Sequence, residues 1–213
     1  ATWIAVVGSD AAGDAVVALV AGRDVAAQAQ ASHALIDLTK RASTLDLTGV
    51  KAQRVLSGDK VASAIRDYLL IGALLTAAEA VGSTSACLAG IVDYLKTRKQ
   101  FGKLIGSFQA LKHPTVDIYV GMEHSRSLVY HASSEIDDGP LSAEAEVACR
   151  MAKAKASDTI QYAGDRSVQF HGGFGFTWEC DSSLFIRRAA WSQQQFGDAM
   201  HHRKRLAPLL LDA

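Results

Sequence analysis

The residues of this chain best suited to chemistry fall in two short runs and one tail. In the first run Arg98 stands three residues ahead of Phe101 and Gly102. A guanidinium stays charged at any physiological pH and grips a pyrophosphate through two parallel hydrogen bonds. Here it would end a helix beside an aromatic ring and a flexible backbone. In the second run Gln169 is followed by Gly172 and Gly173, which sets a side-chain amide beside bare backbone. Glycine permits a close approach that a Cβ would block. Plain structural readings compete at each position. Arg98 at a helix C-terminus would complement the helix dipole, Gly172-Gly173 would serve as a C-cap, and Phe101 would fill a core.

The tail His201-His202-Arg203-Lys204-Arg205 raises metal or nucleic-acid binding. Adjacent histidines on a helix diverge by about 100°, whereas chelation favours i,i+4 spacing. A solvated or subunit-contacting face is expected instead, and no metal site. His171, next to Gly172, is expected to line a site rather than react. Cys87, Cys149 and Cys180 form no C-x-x-C pair and no Cys/His zinc spacing, so they read as buried, reduced thiols of a cytoplasmic protein.

The 213 residues are 49% hydrophobic and 21% charged, an ordinary globular composition that fits one large domain or two small ones. Twenty-two basic residues balance twenty-two acidic ones, so no net field draws the chain to nucleic acid or an anionic membrane. An acidic ligand must then be held by local arginines or helix ends. The run Leu69–Ala80 is interrupted by Glu79 and falls short of a membrane span, which predicts a buried core helix. The start, Ala1-Thr2-Trp3, has no basic leader and no methionine, which suggests a fragment or a processed chain.

The elements that must position these residues change character near residue 60. Trp3–Val7 and Ala15–Val20 are β-branched runs around a Gly/Asp/Ala loop, the pattern of a hairpin, and Ser43–Val50 alternates like a half-solvated strand. The expected fold is α+β and mainly α. A small antiparallel β region over residues 1–59 precedes a C-terminal four-helix bundle over residues 60–213. The first helix is predicted from Ala62 to Arg98, apolar on nearly all faces as a helix buried in a bundle would be. A second follows Ser107 as N-cap to about Gly139, with Pro114 kinking it or moving its start downstream. A third runs from Pro140-Leu141-Ser142 to His171-Gly172-Gly173, and a fourth from Asp181 to Leu211, broken near Gly197.

The two runs, Arg98-Lys99-Gln100-Phe101-Gly102-Lys103-Leu104-Ile105-Gly106-Ser107-Phe108-Gln109 and Gln169-Phe170-His171-Gly172-Gly173-Phe174-Gly175, resemble signatures of the acyl-CoA dehydrogenase family: R-x-x-F-G-x-x-[IL]-x-x-x-Q and a later Q-x-x-G-G-x-G. The resemblance covers the family's middle β domain and C-terminal helical domain, and its N-terminal helical domain is absent. It implies FAD binding through Arg98, Gln100, Phe101, Gln169, Gly172 and Gly173, with the arginine and phenylalanine reaching the flavin dinucleotide of a neighbouring subunit. It implies an acyl-CoA thioester as substrate.

The family's reaction removes an α-proton through a glutamate while a hydride passes from the β-carbon to flavin. With Arg187-Arg188-Ala189 matched to the arginine ahead of the usual catalytic loop, the glutamate position falls on Phe196, its glycine on Gly197 and its threonine on Asp198. Members that carry the base on the first helix of the C-terminal domain match at Gly72, beside Ala73. Neither position can take a proton, so no catalytic residue is assigned. Asp198 and Met200 replace residues that hold the subunit's own flavin, while the neighbour-facing set is retained. Asp67 and Glu79 turn away from Gly72 and read as solvated or interface residues.

Gly173-Phe174-Gly175-Phe176-Thr177-Trp178-Glu179 is similar to a stretch of the heteromeric actinobacterial members, some of which act on CoA thioesters of sterol side chains. The resemblance thus implies a subunit that completes FAD across an interface with a partner subunit bearing the catalytic glutamate, in a heterotetramer. Two alternatives stand beside it: an active flavoenzyme with Asp198 as a displaced base or with different flavin chemistry, and a purely structural helical subunit without flavin. Gly72, Ala73 and Gly82 would widen an acyl pocket if they faced one.

Overall fold

The computed structural model describes residues 2–26 and 29–211, which form two compact units, residues 1–69 and 70–213. In the first unit β1 (Trp3–Ser9) and β2 (Ala15–Ala21) form the predicted antiparallel hairpin, with Val6 opposite Ala18. Asp10 closes its loop by accepting the backbone N–H of Ala12 and of Asp14, both at 2.9 Å. A short helix α1 (Gly22–Ala26) and the pair β3 (Ala29–His33) and β4 (Ala42–Leu45) follow. Then β5 (Arg54–Ser57) adds to β2, giving the order β1-β2-β5.

The strand expected over Ser43–Val50 stops at Leu45. Asp46 Oδ1 accepts the Thr48 N–H at 2.9 Å, a local Asx turn that competes with the ladder, and Gly49 follows at φ 79°. α1, β3 and β5 lay outside the sequence reading.

The helices are α2 (Asp59–Thr97), α3 (Gln109–Ser134), α4 (Ala143–His171), α5 (Ser182–Gln194) and α6 (Ala199–Leu211). A two-residue hairpin, β6 (Lys99–Gln100) with β7 (Lys103–Leu104), joins α2 to α3. α5 and α6 are the predicted fourth helix in two pieces, broken at residues 195–198, so the mainly α architecture with a small antiparallel region stands. α4 runs through the middle, packed against α3, α5 and α6. Leu70, Leu74 and Ala77 of α2 meet Ala145, Ala148, Ala152 and Ala156 of α4 in one core cluster. Small side chains bring the backbones close. A Cβ at Gly164 would lie 2.9 Å from the Ile186 Cα, a distance that excludes alanine unless α5 moves.

Helix ends follow local chemistry. Ser142 caps α4 by accepting the Ala145 N–H at 3.0 Å, as its residue type predicts. Ser107 does not cap α3. It lies in a 3-10 turn and donates its hydroxyl to the Leu104 carbonyl at 2.7 Å, leaving Phe108 at the N-cap. Pro114 sits inside α3 without moving its start downstream. At that depth its missing N–H costs one bond, to the Ala110 carbonyl.

α2 differs most from expectation. By length and composition it is apolar enough to cross a membrane, yet only a third of its most apolar stretch is buried. One side joins the core described above, whereas Ile71 and Leu75 on the other are exposed. Uniform apolarity therefore does not mean burial on every face within this chain.

Candidate functional site

Five of the six predicted cofactor residues converge on one cleft of about 740 Å³ in the helical unit. One wall is the end of α2 and the hairpin after it. Arg98 follows the last helical residue, its N–H still bonded to the Tyr94 carbonyl at 2.9 Å, and its own carbonyl accepts from Ile105 N at 2.9 Å. These two bonds fix where the guanidinium starts while leaving it exposed. Phe101 and Gly102 form the two-residue loop with φ of 53° and 74°. A tight hairpin turn of this hand needs positive φ at both central residues. Glycine takes it freely, but a phenylalanine there is strained. Phe101 is 88% exposed, which removes the reading of it as a core residue, and its ring stands edge-on to Phe108 at 6.2 Å.

The facing wall is the end of α4. Gly172 closes the helix at φ 62°, its N–H bonded to the Gln169 carbonyl. It is therefore a C-cap and a lining residue at once. Among the described residues, nothing beyond the adjoining backbone lies within 4 Å of where a Cβ would stand on Gly172 or Gly173, so bare backbone faces open space there. Gln100 also lines the cleft. Gln169 does not: it lies at the base of the turn with an exposed side chain. An exposed cation, bare backbone and aromatic rings around one cleft fit part of a flavin dinucleotide, with the guanidinium suited to its pyrophosphate.

The sequence reading missed Tyr94 and the serines behind His171. Tyr94, one helical turn before Arg98, stacks on the His171 ring with centroids 4.1 Å apart. His171 Nδ1 lies 2.7 Å from the Ser167 carbonyl and 3.0 Å from Ser182 Oγ. Ser182 in turn bonds Ser167 Oγ at 2.8 Å and accepts from the Cys180 thiol at 3.2 Å. The i,i+4 spacing of Tyr94 and Arg98 was the available signal. The serine contacts bridge α4 and α5 and left none.

A second locus lies where the two possible base positions meet. The Phe196 ring rests on Gly72: a Cβ on Gly72 would sit 2.3 Å from its Cε1 and 2.6 Å from Cδ1 and Cζ. Phe196 has φ 57° and Gly197 φ 96°, and buried polar groups hold this turn. Lys153, 1% exposed, donates to Ser157 Oγ at 2.9 Å, the Gly197 carbonyl at 2.9 Å and the Ser192 carbonyl at 3.2 Å. Burial lowers its pKa to about 8, and the Asp198 carboxylate opposes that shift.

His202 is buried as well, which corrects the expectation of a solvated tail, although its neighbours His201, Arg203, Lys204 and Arg205 are exposed. A carbonyl only accepts, so His202 Nε2 donates to the Phe196 carbonyl at 3.0 Å. Burial first, then the charges of Lys153 and Arg150, push its pKa down to about 4. Asp198 Oδ1 accepts the His201 N–H at 2.7 Å, the geometry of an N-cap on α6. Glu79 pairs with Arg188, and Asp67 with Arg66 at 2.7 Å. Gly72 is covered by the Phe196 ring, and Gly82 is exposed. Among the described residues no group of three His, Cys, Asp or Glu could hold a metal. The three cysteines are free and buried.

Residues 62–208 match the acyl-CoA dehydrogenase C-terminal domain family. Acyl-CoA dehydrogenase IpdE2 of Mycolicibacterium smegmatis is 38% identical over 134 residues, covering 63% of this chain and 40% of that protein. Its namesake from Mycobacterium tuberculosis is 40% identical over 122 residues, covering 57% of this chain and 36% of that protein. The chain thus spans well under half the length of these curated relatives. Among solved structures, the ChsE4-ChsE5 complex of Mycobacterium tuberculosis shares the fold at TM-score 0.85 and 23% identity, over 100% of this chain and 56% of that one. A variant of the Tcur3481-Tcur3483 steroid ACAD aligns at TM-score 0.81 and 25% identity, again over 100% and 56%. With the signature runs lining one cleft and the helical unit matched nearly end to end, the chain belongs to the acyl-CoA dehydrogenase family.

Proposed function

We propose that this chain is part of a flavin-dependent acyl-CoA dehydrogenase in which it completes an FAD site across a subunit interface and supplies no catalytic base. Family members bind FAD. When bound, the flavin accepts the hydride from the acyl β-carbon. In this reading Arg98 holds the pyrophosphate, Gly172 and Gly173 let it approach, Phe101 flanks a ring, and Gln100 offers an amide at the rim.

The observation that carries the reading is the contact of Phe196 with Gly72. Proton removal needs a carboxylate within roughly 3 Å of the α-carbon's proton, and an aromatic ring on a bare backbone offers none. A partner subunit then carries the glutamate. The complexes named for two structural neighbours support such a pairing, and the steroid substrate class in the name of one supports a bulky acyl-CoA. Asp198 is a poor substitute base because its carboxylate already caps α6.

The test is the absorption spectrum of the chain purified alone and with its genomic-neighbour dehydrogenase. Flavin bands and acyl-CoA-dependent bleaching are expected only in the pair, and Arg98→Ala should weaken flavin retention there. Stoichiometric flavin with bleaching in the lone chain would overturn the missing base and return attention to Asp198. No flavin in any pairing would favour a purely structural subunit.

A further inference from the structure

The inner face of α3 carries the buried Ile118, Met122, Val129 and Ala132. Turned away from them, at helical spacing, runs a stripe of Lys112, Val116, Tyr119, Glu123, Arg126 and Tyr130. Val116, Tyr119 and Tyr130 are each more than half exposed. Aromatic residues and arginine in line on one helix are the composition of a contact surface. The charges of α3 also run against the helix. A helix favours acids in its first turn and bases in its last. Here the first turn has no acid and closes on Lys112, and the loop past the last turn is Glu135-Ile136-Asp137-Asp138. Lys112, Asp137 and Asp138 are exposed and carry no ion pair among the described residues. This order disfavours α3 alone and favours two such helices laid antiparallel, where each basic start meets an acidic end.

One register satisfies the whole stripe. With a two-fold axis between residues 124 and 125, Tyr119 faces Tyr130 of the second copy and Lys112 faces its Asp137. Glu123 faces Arg126 of the second copy. These two already bond within one chain at 2.5 Å, so the axis would join two such pairs into one charge network. An isologous interface must complement itself, and a different partner would place no such demand on a single helix. We infer that α3 forms an isologous, antiparallel interface with a second copy of this chain. The inference is independent of the flavin reading above.

Sedimentation equilibrium of the chain should give a species of twice its 22.6 kDa. Lys112→Glu or Asp137→Lys sets like charges together at both ends of the interface and should weaken the dimer roughly tenfold or more. The double variant Lys112→Glu/Asp137→Lys reverses the pair and should restore it. All three positions of change lie on the surface, so helical circular dichroism should match wild type and separate lost contact from lost fold. A cross-link reads the register. Val116→Cys with Ser133→Cys should join two copies on oxidation, and the three native thiols are buried. Val116→Cys alone should not, because the two copies of that position lie about 26 Å apart along the helices. A monomer throughout the concentration range, no rescue in the charge-reversed double variant, or a cross-link from Val116→Cys alone would overturn the inference. If Lys112→Glu instead weakens only the union with the genomic-neighbour dehydrogenase, the face belongs to that partner and this inference falls. The flavin bands of the pair report on the earlier reading separately.

Discussion

Gly72→Ala is the sharpest probe of the locus where the Phe196 ring lies on α2. In a solvated helix the change is favourable by about 1 kcal/mol, because alanine loses less backbone entropy than glycine. Here the new Cβ would stand 2.3 Å from Phe196 Cε1, well inside van der Waals contact, and the ring must leave. It cannot leave with its backbone, since the Phe196 carbonyl is bonded to His202 and the Gly197 carbonyl to Lys153. Overpacking of this kind costs about 1–3 kcal/mol, so the net change in wild type should run from near zero to about 2 kcal/mol destabilising. In a Phe196→Ala background the obstruction is gone, and the same substitution should stabilise by about 1 kcal/mol. Urea unfolding of the four proteins, followed by helical circular dichroism, gives the coupling energy directly. A value of about 1–3 kcal/mol is expected. A coupling below about 0.5 kcal/mol, the ordinary scatter of independent sites, would mean that Phe196 does not lie on Gly72.

Three further outcomes follow from buried groups and from a helix cap. His202 is neutral when folded, its pKa lowered from 6.5 to about 4. Its contribution is therefore complete above pH 6.5 and lost as pH falls through 4, where the unfolded chain has taken a proton the folded one resists. Stability should drop by about 3 kcal/mol across that window, and His202→Gln should flatten the drop; an unchanged slope would refute the assignment. Cys87 and Cys149 are pushed up to about 11 by burial, and Cys180 is buried too, so a thiol reagent at pH 8 should label none in the native protein and three after unfolding. Ser142→Ala removes the cap on α4 and should cost about 1 kcal/mol, read as a lower urea midpoint.

The bundle was legible because α2, α3 and α4 carry their signals along the chain: alanine- and leucine-rich runs, a capping serine at Ser142, and glycines where helices stop. The β region was legible at its hairpin and at the start of the strand expected over Ser43–Val50, which β4 bears out to Leu45. β5 is four residues, Arg54–Ser57, and gains its identity by pairing with β2, a contact some 37 residues away in sequence that no local pattern encodes. The cleft was readable in five of its residues because each signature run is continuous and sits at a helix end. Tyr94, Ser167 and Ser182 were not, because their roles arise from α2, α4 and α5 meeting. His202 was misread for a related reason. An exposed-looking His-His-Arg-Lys-Arg run hides a single inward position, and only the packing of α6 on α4 selects it.

Positions 72 and 196 are linked through one steric contact. A phenylalanine at 196 lies where a side chain at 72 would grow, so glycine at 72 is what allows Phe196 to settle at φ 57° with its carbonyl on His202. A carboxylate introduced at 72 alone would collide with the ring before it could reach any substrate. Removing the ring alone leaves a void over bare helix backbone, with Lys153 and His202 still gripping the turn. A carboxylate at position 72 therefore needs Phe196 to change as well, whereas one at position 196 needs no change at Gly72. Asp198 cannot shortcut this, because drawing its carboxylate inward would uncap α6 and take a favourable charge away from Lys153. The same polar clamp that seats Phe196 also anchors α5 and α6 to α4, so the seat of Phe196 is built into the packing that keeps the bundle together.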